Sequence, residues 1–115
     1  MRITLKGTGV SLTPAIRKNV EKAIAKVEKL IDVHEPSALL RVEVSKTTKH
    51  HRSGNVWRAE LNLGVKKKLL RAEETREDLY DALFAASQEL RRRYLKYRDT
   101  RGSSFPRSPR RSSRE

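Results

Sequence analysis

The strongest constraint lies between Arg71 and Arg101, RAEETREDLYDALFAASQELRRRYLKYRDTR. Leu79, Leu83, Ala86, Leu90, Tyr94 and Tyr97 recur there at spacings of three and four, so they share one stripe of a helix. A long helix with a single apolar side must lie on another apolar surface to be stable. The stretch reads as the end of a strand that turns at Thr75, which caps the helix with Asp78 three residues on as a shortened capping box. Its first turn is acidic, through Glu77, Asp78 and Asp81, and its last turns are crowded with Arg and Lys. Opposite the stripe, Arg91, Arg92, Lys96 and Arg98 are expected on the outward arc.

The rest of the chain supplies the surface that this helix needs. Ile3 and Leu5 alternate with Arg2, Thr4 and Lys6, the period-two pattern of a half-buried strand, which Gly7 and Gly9 end. Thr13-Pro14 then starts a helix, with Thr as N-cap and Pro at the first helical position, where a missing N–H costs nothing. Ile16, Val20, Ala23, Ile24, Val27 and Ile31 form its buried stripe, Lys18, Lys22 and Lys29 lie opposite, Lys26 lies on the flank, and Pro36 closes the segment. Leu40, Val42 and Val44 alternate in a second strand, and Trp57, Ala59, Leu61 and Leu63 in a third. Ser53-Gly54-Asn55 is a turn signal between them, and a cationic turn at Gly64 to Lys68 leads into a fourth strand over about Leu69 to Glu74.

The order is therefore βαβββα, an α+β fold. A four-stranded mixed sheet is expected to carry both helices packed on one face, with the first two strands parallel and the rest joined as hairpins. The open face is expected to carry Arg41, Glu43, Arg58, Glu60, Arg71 and Glu73, a mixed-sign lattice without an aromatic platform for stacking bases. Residues 1–100 read as the folded domain and 101–115, rich in Ser, Pro and Arg, as a disordered basic tail.

Charge decides between partner classes. The formal net charge is +13, of which residues 1–100 contribute +9, so the excess is not confined to the tail. Self-repulsion of that size points to a polyanionic partner, and the lysine and arginine rows put it on the helices. Complementing a helix dipole accounts for two or three basic residues near a C-terminus, not for Arg91, Arg92, Arg93, Lys96 and Arg98 together with a lysine row on the other helix. Lys66-Lys67-Lys68 is either a solvated turn or a phosphate clamp, while Trp57, Tyr94 and Tyr97 read as packing residues.

Other chemistries find no support. There is no cysteine to form a disulfide or act as a thiol, which fits a reducing compartment. His34, His50 and His51 offer no metal geometry, no nucleophile–base spacing is visible, and no Gly-rich phosphate loop follows a strand. Neither a secretion signal nor an apolar run of about twenty residues is present. The chain is thus expected to be soluble and cytoplasmic, a non-enzyme without cofactor, metal, small-molecule substrate or membrane partner, and monomeric when free.

RAEETREDLYDAL followed by a long basic helix, after a strand and a Thr-capped helix containing Lys-Val-Glu-Lys, resembles the bacterial hibernation-promoting factor and ribosome-associated inhibitor A family over about residues 1–100. Arg71, Ala72, Glu73, Glu74, Asp78, Tyr80 and Ala82 carry the most specific part of the likeness. The resemblance implies a βαβββα domain that binds small-subunit rRNA in the channel used by mRNA and tRNA and idles the ribosome under stress or starvation. Arg17, Lys26, Arg92, Lys96 and Arg98 fall where that family has basic residues, and Lys22, Lys29 and Arg91 join them on helix geometry alone. Long members of the family carry a second, ribosome-pairing domain, which this chain is expected to lack, and the inhibitor branch has an acidic extension where this tail is Arg-rich. The likeness therefore carries no expectation about ribosome dimers. Two rival readings are a general binder of double-stranded RNA and a structural ribosomal protein.

Overall fold

A computed structural model describes residues 1–48, 55–66 and 68–102. The elements run β1 (Arg2–Thr8), α1 (Pro14–His34), β2 (Leu39–Thr48), β3 (Asn55–Val65), β4 (Lys68–Arg76) and α2 (Leu79–Gly102), the βαβββα order read from the sequence. They form one sheet in the order β1-β2-β3-β4, with β1 parallel to β2 and the remaining pairs antiparallel. The turn signal at Ser53-Gly54, the two loop histidines His50 and His51, Lys67, and the tail from Ser103 onward lie outside the described residues. No helix among the described residues is long and apolar enough to cross a membrane.

The core is the meeting of three apolar patterns on one side of the sheet. Val20, Ala23, Ile24, Val27 and Ile31 of α1 and Leu79, Leu83, Ala86, Leu90 and Tyr94 of α2 join Leu40, Val42, Val44, Ala59, Leu61 and Leu63 in a single buried cluster. Each Val, Leu or Ile so buried contributes about 1.5–3 kcal/mol relative to exposure. Strand β4 is parallel to β1, because two antiparallel steps separate it from β2. Both helices return from parallel strands and so run side by side in the same direction. Tyr94 accordingly reaches Glu35, at the C-terminal end of α1, from the later part of α2.

Local signals hold at α1, where the Thr13 hydroxyl accepts from the Ile16 N–H at 3.2 Å and Pro14 occupies the first turn. They shift at α2. Thr75 does not cap it, because β4 continues to Arg76 and pairs Thr75 with Arg58. The cap is Asp78, whose Oδ2 accepts from the Asp81 N–H at 3.0 Å while its carbonyl accepts from Ala82, leaving Asp81 as the acidic residue of the first turn. The turn after β3 is also tighter than expected: Gly64 and Val65 are strand, and Val65 pairs directly with Lys68. Lys66 meets that two-residue turn with φ 51°, the left-handed region such hairpins require. At the first turn of the chain it is Gly9, at φ 70°, that breaks the strand, while Gly7 remains within β1.

The open sheet face is the lattice expected. Glu43, Glu60 and Glu73 stand opposite one another across three strands, an arrangement that repels unless cations intervene. Arg58 and Arg71, one row to either side, each bridge Glu60 and Glu73. Glu60 is thereby 9% exposed although it points away from the core. Hydrogen bonding from Arg58 holds the Glu73 carboxyl below the usual range.

Candidate nucleic-acid interface

The eight basic residues singled out from the sequence do not form one continuous patch. They divide according to what surrounds them. Lys22 and Lys26 of α1 and Arg91 of α2 line one groove of about 500 Å³ between the helices, together with Tyr80, Phe84 and Gln88. No carboxylate lines this groove, and none of its three cations is ion-paired among the described residues. Parallel packing of α1 and α2 produces the convergence, since it sets the middle of α1 beside the first half of α2.

The other five lie elsewhere. Lys29 continues the exposed row of α1 beyond the groove. Arg17 sits on the opposite flank of α1, beside Glu21 and Glu28, facing the β1 side. Arg92 is exposed but occupied: it forks onto Glu89 with bonds of 2.9 and 2.7 Å, and Arg93 shares the same carboxylate at 2.7 Å. Arg92 heads those contacts in holding the Glu89 carboxyl below its usual range. Lys96 lies on the far flank of α2, lining a groove with Lys68, Leu69, Arg71 and Tyr97. Arg98 is half-buried rather than outward, near the Tyr94 hydroxyl and on the α1 side of the helix. Arg91 and Arg92, about 100° apart around α2, line one groove with Glu74, Arg76 and Glu89, and of the two only Arg91 also lines the groove facing α1.

Tyr94 closes the C-terminal end of the helix pair. It is fully buried, not at a frayed rim, and its hydroxyl donates to Glu35 Oε2 at 3.3 Å. Burial, with the Glu35 charge beside it, pushes the phenol up to about 12. Among the described residues no group of His, Asp and Glu is placed to hold a metal ion. The residue that the sequence pattern passes over is Phe84. It lies off the apolar stripe, 42% exposed, with its ring nearly parallel to Tyr80 at a centroid distance of 6.1 Å.

These features define a small α+β domain with a carboxylate-free cationic groove between its two helices and a central ion-pair lattice on its sheet face. The chain belongs to the Sigma 54 modulation protein / S30EA ribosomal protein family, whose model matches residues 3–101. It is 33% identical over 109 residues to a ribosome hibernation promotion factor of Lactococcus lactis, covering 94% of this chain and 55% of the relative. A ribosome hibernation promotion factor of Staphylococcus aureus is 32% identical over 98 residues, covering 85% of this chain and 48% of the relative. The chain thus spans about half the length of these curated relatives. Among solved structures it is similar to the N-terminal domain of Thermus thermophilus Protein Y, with TM-score 0.62, 28% identity, and 84% of this chain and 99% of that chain covered. A ribosomal subunit interface protein from Coxiella burnetii shares the fold at TM-score 0.64 and 18% identity, over 86% of this chain and 99% of that one.

Proposed function

We propose that this domain is a ribosome hibernation factor that docks its helix pair on small-subunit rRNA, in the channel used by mRNA and tRNA, and blocks translation under stress or starvation. The domain acts by occupancy: phosphates are neutralised, counterions are released, and the bound body excludes the normal ligands of the channel. The observation that carries this reading is the convergence of Lys22, Lys26 and Arg91 on a carboxylate-free groove. Family membership and the names of the relatives point the same way.

The test is binding and translation inhibition with purified small subunits, using Lys22→Gln, Lys26→Gln and Arg91→Gln combined. If all three side chains meet phosphates, the slope of log K against log salt becomes shallower by roughly 2 to 3, and inhibition is relieved. A triple variant that binds and inhibits like the wild type would show that the groove is not the docking surface.

A further inference from the structure

Three large apolar side chains are exposed among the described residues: Val33, Leu69 and Phe84. Phe84 differs in its company. Its ring lies in the interhelical groove, parallel to Tyr80 within 12°, with Lys22 and Lys26 across on α1 and Arg91 two turns further along α2. The same groove is lined by Ser87, whose side chain is 5% exposed and has no hydrogen-bond partner among the described residues. A flat apolar face, three cations and a buried hydroxyl without a partner are thus gathered in one place.

A nucleotide answers both the ring and the cations. A base has a flat face that stacks on an aromatic ring in a sequence-tolerant way, and its flanking phosphates carry the charge that the cations lack. The Asp and Glu side chains of an acidic peptide would satisfy the cations but would offer the ring no aromatic face to stack on. A regular A-form helix keeps its bases stacked among themselves, so the base concerned is unpaired and turned outward.

We propose that Phe84, backed by Tyr80, is a stacking platform for one unpaired base of the bound RNA, with Lys22, Lys26 and Arg91 taking the adjacent phosphates. This deepens the ribosome-docking reading and rests on it. It adds a contact that counterion release does not supply: affinity that is insensitive to salt. Aromatic recognition is thereby moved from the sheet, whose open face carries no aromatic side chain among the described residues, to the cleft between the helices.

The experiment compares Phe84→Leu and Phe84→Tyr with wild type in salt titrations on purified small subunits, beside the charge-deleted triple variant. Leu keeps the helix and most of the apolar area but removes the flat ring, and Tyr restores it. Phe84→Leu is expected to bind about 5- to 100-fold more weakly with an unchanged salt slope, and Phe84→Tyr close to wild type. Wild-type binding by Phe84→Leu overturns the stacking site. Equal losses in the Leu and Tyr variants overturn it too, since they would mark a tight steric contact such as one with a ribosomal protein. A shallower slope in Phe84→Leu would reduce the ring to a spacer for the cations and would likewise overturn the stacked base. If only the triple variant loses binding, the docking reading stands without the stacked base; if the triple variant binds fully, both fall.

Discussion

Glu89 offers a test in which removing a stabilising contact strengthens binding. Its carboxylate holds Arg92 through a fork and Arg93 through a single bond, so two of the arginines on α2 are partly cancelled before any RNA arrives. Glu89→Gln deletes that negative charge and leaves both guanidinium groups available. The cost to the fold is small. Exposed pairs at i,i+3 and i,i+4 contribute about 0.3–0.5 kcal/mol each, so the variant loses less than about 1 kcal/mol of stability. The gain is a difference of one charge at the interface. One further phosphate contact steepens the salt slope by about 0.7–0.9, which is roughly fivefold tighter binding at 0.1 M salt and no gain near 1 M. The assay is a salt titration of wild type and variant on small subunits, with a thermal melt to confirm the fold. Weaker binding at low salt, or parallel titration lines, would refute the reasoning and place the Arg92 side of α2 away from RNA.

Two further outcomes concern the fold itself. Tyr94 is neutral in the folded state and held there up to about 12, whereas in the unfolded chain it ionises near 10. Its contribution to stability is therefore intact below about pH 10 and lost as the pH rises towards 12, at most about 2–3 kcal/mol; in denaturant melts the wild type should be more stable than Tyr94→Phe at neutral pH, where the variant lacks the hydrogen bond to Glu35, and should lose that margin on the alkaline limb. Asp78→Ala should lower stability by about 1 kcal/mol and Thr75→Ala by much less, read by urea melts, because the α2 cap is the aspartate.

The architecture is legible in the sequence because each element carries its own period. Alternation in Leu40, Val42 and Val44 or in Ala59, Leu61 and Leu63 fixes which face is buried, and the three-four spacing of α2 places all but its end residue in the core. The start of α2 departs from its local signal because side-chain chemistry favours Thr75 as a cap, while pairing with Arg58 extends β4 past it. The site is only half legible. Lys22, Lys26 and Arg91 can be named from exposure, but their meeting depends on how two helices pack, which no single-helix pattern encodes. Glu89 stands three residues before Arg92, and counting cations alone passes over the pair. Phe84 gives a faint signal, a large apolar residue off the stripe, which acquires meaning only beside the lysines of α1.

The paired lattice on the sheet also governs how the molecule arrives. Charges that close on their neighbours cast little field into solvent, so Arg58, Arg71, Glu60 and Glu73 add little to the far-reaching potential of this protein. On the docking proposed above, the cations of the interhelical groove would turn the helices toward the polyanion on approach. Docked as proposed, the molecule would present outward a sheet face whose four central charges, Arg58, Arg71, Glu60 and Glu73, are already paired with one another.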